Sequence, residues 1–144
     1  MLTCRFRTTA TLLIIAAGST VSVPAGELDE REAPLYAAAI LYAAHSDLCT
    51  AEKPCCYSVG QKPPSPELVK ALQDSRHLTP IPRRGTCTHV TLDAWRTSRT
   101  ADDTQTVSVA AGGHDLLFVW CTYVLHLTSA GWVVDPSKEI CPVT

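Results

Sequence analysis

Charge is scarce in this chain. Only 18% of its 144 residues are Asp, Glu, Lys or Arg, while 46% belong to the apolar set. That balance excludes disordered, collagen-like and coiled-coil classes and describes one ordinary globular domain. The 12 Lys and Arg against 14 Asp and Glu leave a formal charge of -2, so no basic excess is available to hold nucleic acid or an anionic membrane. No internal repeat, low-complexity segment or composition shift marks a second domain.

Several chemical signatures are absent as well. No CxxC pair is present to suggest zinc, and no compact HxH or HExxH spacing places His89, His126, His114 or Asp93 as metal ligands. No GxSxG elbow presents a serine nucleophile. Gly112 and Gly113 stand in a hairpin turn rather than a strand-to-helix loop, so they make no phosphate cradle. The adjacent Cys55 and Cys56 lack the two intervening residues with which one thiol attacks and the other resolves. Neither a metal nor a cofactor is expected.

An apolar run near the start, residues 10–18, is interrupted after it by Thr20, Ser22, Pro24 and Gly26, well short of the roughly 20 residues a membrane span requires. With Arg5 and Arg7 before it and Val23, Pro24 and Ala25 after it, it reads as a secretory signal peptide over residues 1–25, cleaved after Ala25. No cysteine follows the run directly, so no lipid anchor is indicated. The expected destination is the periplasm or the extracellular space, without membrane attachment after cleavage.

Cysteine is what the chain has in excess: seven in all. Cleavage removes Cys4 and leaves Cys49, Cys55, Cys56, Cys87, Cys121 and Cys141. In an oxidising compartment these read as three structural disulfides, with fifteen connectivities open to them. A bond between Cys55 and Cys56 would close a strained ring, so separate partners are expected. The pairing expected joins one of the twin cysteines to Cys49, the other to Cys87, and Cys121 to Cys141.

Residues 26–144 are expected to form a single α+β domain. Residues 34–46 are dense in Ala and Leu, with apolar positions at helical spacing, and predict a helix. Pro34 is expected in its first turn, and the acidic stretch 26–33 before it suits the positive end of the helix dipole. Residues 55–60 allow a short strand. Ser65, Pro66 and Glu67 read as an N-cap, a first-turn proline and an acidic first turn, opening a short helix through about Ser75. Residues 76–86 hold two prolines and the basic pair Arg83 and Arg84, and are expected to be loop.

From residue 86 onward the pattern changes to period two. Strands are expected over 86–97, 104–111, 116–127 and 131–135, joined by short turns into an antiparallel meander. A helix followed by such a run implies an N-terminal helix packed on a four-stranded antiparallel sheet, stapled by disulfides.

This order, ending in Tyr123 to Val134 with Gly131, Trp132, Val133 and Val134 at its close, resembles the cystatin-like roll of nuclear transport factor 2-like domains. The resemblance covers about residues 34–135 and points to an exported bacterial member. It implies a roll with a cone-shaped pocket. Members of that superfamily include isomerases and dehydratases with acidic or His–Asp dyads, and exported proteins whose role is to bind, so fold alone does not choose the function.

Two groups of candidate residues remain. His89, Thr91, Asp93 and Trp95 alternate onto one face of the strand 86–97. His89 and Asp93, with His126 from another strand, are the candidate catalytic group of a small pocket enzyme of the isomerase or hydrolase kind. The segment 116–127 is apolar on both faces, with Phe118, Trp120 and Val124 on one side and Tyr123 and Leu125 on the other. One face covers the helix, and the second needs cover from residues 47–64, another copy of the chain or a ligand. Trp95, Phe118, Trp120 and Tyr123 are the candidate binding residues. The leading expectation is an exported, disulfide-stabilised binding domain whose partner is an unknown protein or a small apolar ligand, with a homodimer through the sheet face as one form of cover. The pocket enzyme and an accessory envelope protein are the alternatives.

Overall fold

The computed structural model describes residues 25–44, 48–81, 87–113 and 116–142. The expected leader, apart from Ala25, lies outside them, as do His114, Arg83 and Arg84. The described chain is α+β: helices α1 (Ala25–Ala44) and α2 (Pro66–Leu72), with six strands, β1 (Cys55–Val59), β2 (Leu78–Pro80), β3 (Thr91–Ala101), β4 (Thr104–Gly113), β5 (Leu116–Thr128) and β6 (Gly131–Ile140). No helix among the described residues is long and apolar enough to cross a membrane.

Helix α1 starts nine residues before its expected first-turn proline, so Pro34 lies inside it. Pro34 is on the exposed side, and its ring removes one intrahelical hydrogen bond there. The opposite side carries Ala33, Tyr36, Ala37, Ile40 and Ala44, all buried. Four alanines buried along the helix let its backbone approach the neighbouring elements closely. Helix α2 is built as its sequence predicts, but ends three residues earlier. Ser65 caps it by accepting the Leu68 N–H at 3.2 Å, Pro66 stands in the first turn, and Leu68 and Leu72 are its buried contacts.

The sheet is six-stranded and mixed, in the order β2-β1-β3-β4-β5-β6. This corrects the expected four-stranded meander. Strands β3 to β6 do form an antiparallel meander, but β1 joins the β3 edge in parallel and β2 joins β1 in parallel. The segment read as loop over 76–86 therefore contains a strand. Its three residues end in Pro80, and such a short edge strand carries no alternation to recognise. Parallel pairing needs a crossover, here supplied by α2 between β1 and β2.

Two strand boundaries also move. Strand β3 begins at Thr91 rather than residue 86, which leaves His89 ahead of it, and β6 runs on to Ile140. Pro136 is tolerated in β6 because that strand is the open edge of the sheet.

Alternation sorts the strand residues onto two faces. Tyr57, Leu92, Ala94, Val107, Val109, Tyr123, Leu125 and Val134 are buried with the apolar side of α1 in one core cluster. The helix also reaches the sheet through polar contacts. Glu32 pairs with Arg96 on β3, and the Tyr42 hydroxyl donates to Glu139 Oε2 at 3.2 Å. The second face, carrying Asp93, Trp95, Ala110, Phe118 and Trp120, looks away from α1.

The three disulfides are Cys49–Cys55, Cys56–Cys87 and Cys121–Cys141, the expected pairing with the twins now assigned. Adjacent residues on a strand point to opposite faces, so Cys55 is drawn into the core and Cys56 to the other side. Their partners differ for that reason.

Candidate functional site

The outer face owes its shape to three cross-strand rows. Thr91 lies opposite Gly112; Asp93, Ala110 and Trp120 form a second row; Trp95, Ser108 and Thr122 form a third. The central strand β4 therefore contributes only Gly112, Ala110 and Ser108 to this face. Small residues there make a trough, with Asp93 and Trp95 on the β3 side and Phe118 and Trp120 on the β5 side. A Cβ at Gly112 would lie 3.4 Å from the Phe118 ring, in ordinary contact. The flanking backbones stand two strand spacings apart, about 9.5 Å.

A tight turn narrows the trough at its β1 end. Val59 and Lys62 exchange two backbone hydrogen bonds of 3.1 Å around Gly60 and Gln61, whose φ angles are +56° and +62°. Two consecutive positive φ values are those of a type I′ turn, in which glycine is at ease and glutamine is not. Gln61 is held there because its N–H donates to Asp93 Oδ1 at 2.8 Å. The buried Ser58 hydroxyl donates to the same oxygen at 2.6 Å. The register that pairs Ser58 with Asp93 across β1 and β3 brings these groups together. The resulting cavity measures about 410 Å³ and is lined by Gln61, Thr91, Asp93, Trp95, Ala110 and Phe118, among others. Asp93 is the one acidic or basic side chain in that lining.

Phe118 is 60% exposed and Trp120 45%, their rings 6.4 Å apart edge to face. Exposure of two large aromatic rings beside an open cavity leaves apolar area uncovered that folding alone would bury. Thr122 and Ser108 hydrogen-bond each other at 2.8 Å, which satisfies the hydroxyls at the far end of the trough.

A second cavity, of about 420 Å³, lies on the opposite side of the sheet, beneath α1, with Tyr42, Leu92, Val109, Val119, Tyr123 and Glu139 among its walls. Tyr42 and Tyr123 meet edge to face at 5.2 Å. Burial, reinforced by Glu139 and Tyr42, pushes the Tyr123 phenol up to about 12, and burial followed by the Glu139 carboxylate raises that of Tyr42.

The sequence-predicted residues divide between these places. Trp95, Phe118 and Trp120 come together on the outer face, whereas Tyr123 is buried on the inner face and is not part of that group. The three candidate catalytic residues are dispersed. Asp93 is in the outer cavity, and His89 is exposed before β3. His126 pairs with Thr104, which faces Ala101, eight residues beyond Asp93 on β3 or about 26 Å along the strand. Neither cavity has a histidine in its lining. His126 instead takes part in a polar row at the sheet end: its Nδ1 is 3.2 Å from Thr104 Oγ1 and its Nε2 3.6 Å from Asp135 Oδ2.

Asp135 is held below the usual carboxylate range, chiefly by the Ser137 hydroxyl, with the Ser137 backbone N–H, Lys138 and His126 adding to it. Cys121, Glu139 and Cys141 are the one group at metal-ligating distances among the described residues. Its two sulfurs are bonded to each other, so they are not the thiolates a metal would take.

The outer trough escaped sequence reading in two respects. Gln61 and Ser58 were not singled out, because nothing local shows that β1 joins β3 in parallel. The Gly60-containing turn before Lys62 was the available signal. Compared with known proteins, the chain matches no family model, no curated protein and no solved structure.

Proposed function

We propose that this protein is an exported, disulfide-stapled binding domain that takes a small ligand on the outer face of its sheet. One observation carries the reading. A preformed trough floored by small residues ends in exposed aromatic rings, although the apolar cluster on the other face already provides the core. Three disulfides over 144 residues fit maturation in an oxidising compartment. The cystatin-like resemblance applies in this reading to the roll formed by α1 and the meander, and the turn after the added parallel strand β1 supplies one wall of the site.

The pocket-enzyme alternative would need His89, Asp93 and His126 in one cavity, and their dispersal removes its support. A test is available without knowing the natural ligand. Backbone amide shifts of the labelled protein are followed against a panel of neutral, cationic and anionic fragments. The expected result is that responding amides cluster at Gln61, Asp93, Trp95 and Phe118. Fragments collecting beneath α1 instead, or a dimer that seals Phe118 and Trp120 in sedimentation, would overturn the reading.

A further inference from the structure

The chemistry of the trough narrows the class of ligand. Its lining holds one carboxylate, Asp93, and no basic side chain. The hydrogen bonds from Ser58 and from the Gln61 N–H both fall on Asp93 Oδ1, which orients the carboxylate within the lining. Trp95 and Phe118 line the same space, and Trp120 meets Phe118 edge to face.

An aromatic wall with a negative face, beside a fixed carboxylate and away from any competing cation in the lining, favours positive charge on a weakly hydrated group. Lys62 follows Gln61 in the chain but is exposed and does not line the cavity. A sugar would need several directional donors and acceptors. The lining offers the Gln61 amide and the Thr91 hydroxyl beside Asp93, a small set for a sugar's several hydroxyls, and Ser108 and Thr122 beyond it already satisfy each other. An anion would be repelled by Asp93.

We propose that the trough between Asp93, Trp95 and Phe118 is a binding site for a small organic cation, with a methylated ammonium group seated over Ala110 and Gly112. This rests on the binding reading above and specifies its ligand class. Small residues at Ala110 and Gly112 matter because a larger side chain at either would fill the seat. The distance of about 9.5 Å between flanking backbones leaves room for one compact head group once Asp93 and the rings have taken their share. The methyl groups would meet the aromatic surfaces while the charge is neutralised by the Asp93 carboxylate.

The test compares choline with 3,3-dimethylbutan-1-ol, which has the same shape with carbon in place of the charged nitrogen, by calorimetry and amide shifts at matched ionic strength. Choline is expected to bind with roughly millimolar affinity, as suits so few heavy atoms, and the neutral analogue at least about fivefold more weakly. Asp93→Asn and Phe118→Ala are each expected to weaken choline about three- to tenfold, while His126→Ala at the far end of the sheet leaves it unchanged. Phe118 is exposed, so that variant tests the site even if Asp93→Asn disturbs the Gln61 turn.

Equal binding of choline and its neutral analogue in the trough would overturn the cation inference and leave the binding reading standing. So would glucose or maltose binding there in place of choline. If neither choline, its analogue nor the sugars move any trough amide, both fall together.

Discussion

The Ser58 hydroxyl on β1 donates to Oδ1 of Asp93 on β3, 2.6 Å away across a parallel strand pair. That one carboxylate oxygen also takes the Gln61 N–H. It therefore joins the short strand β1, a turn in an unfavourable backbone conformation and the wall of the binding trough. Fold and site share this bond.

Removing the hydroxyl tests that link. Ser58 is buried, and hydrogen bonds to charged groups contribute about 1.5–3 kcal/mol. Because Asp93 is only half-buried, the lower end applies, and Ser58→Ala is expected to cost about 1–2 kcal/mol. The measurement is a urea titration, read as a lower midpoint at unchanged slope. An unchanged midpoint would mean the bond contributes nothing net.

The disulfides should rank by the length of chain they close. The separations are 31 residues for Cys56–Cys87, 20 for Cys121–Cys141 and 6 for Cys49–Cys55. Loop-closure entropy then assigns them about 3.7, 3.3 and 2.2 kcal/mol. Replacing each pair by alanines and measuring the denaturant midpoints should reproduce that order. The largest loss at Cys49–Cys55 would contradict it.

Burial separates the structural residues from those free to serve a ligand. Leu125 is completely buried, and Leu125→Ala should cost about 2–5 kcal/mol through lost transfer energy and the cavity left behind. Phe118→Ala should stay within about 0.5 kcal/mol, since its ring is largely in water. Thermal unfolding of both variants distinguishes a core from a rim; a large loss at Phe118 would mean its face is already covered.

Alkaline pH should weaken the fold over a defined window. Tyr36, Tyr57 and Tyr123 are pushed from 10.0 to about 12, in each case chiefly by burial, with Glu32 adding to it at Tyr36. A raised folded pKa means that the native state holds the proton more tightly than the unfolded chain. The stabilisation is complete below pH 10 and is lost as pH rises through about 12. Tyrosinate absorbance after a rapid pH jump should show these three ionising late, together with unfolding. Ionisation near 10 in the folded state would refute their burial.

At the sheet edge the sign is opposite. Ser137→Ala removes the main cause of the lowered Asp135 pKa, so the carboxyl should titrate closer to its ordinary value. Interactions that depress a carboxyl favour the fold above its ordinary pKa and are lost as pH falls through the lowered one. Carbon-detected NMR titration of Asp135 reads the shift directly. No change on mutation would assign the depression to the Ser137 backbone N–H, Lys138 or His126 instead.

Much of the scaffold was legible locally. Ser65-Pro66-Glu67 defines the start of α2 because an N-cap oxygen, a first-turn proline and an acidic residue each meet a requirement of the first helical turn. The alternation from Leu92 through Val134 marks β3 to β6 because side chains on a strand must alternate between core and outer face. The separate partners of Cys55 and Cys56 follow from that same alternation. Pro34 misled, since proline at a helix start and proline on an exposed helix face carry the same local sequence. Strand β2 was illegible, being too short to show any period.

Sequence alone determined the α+β class, the strand faces of the meander and the separate partners of Cys55 and Cys56, since each depends on spacing within a few residues or on a geometric ban such as the vicinal bond. Tertiary structure decided that β1 lies parallel to β3 with Ser58 beside Asp93, that Trp95 and Phe118 meet over Ala110 and Gly112, and that His126 ends far from both. Those outcomes depend on register between segments distant in the chain. Register is set by the summed packing and hydrogen bonding of the whole sheet, which no local window contains.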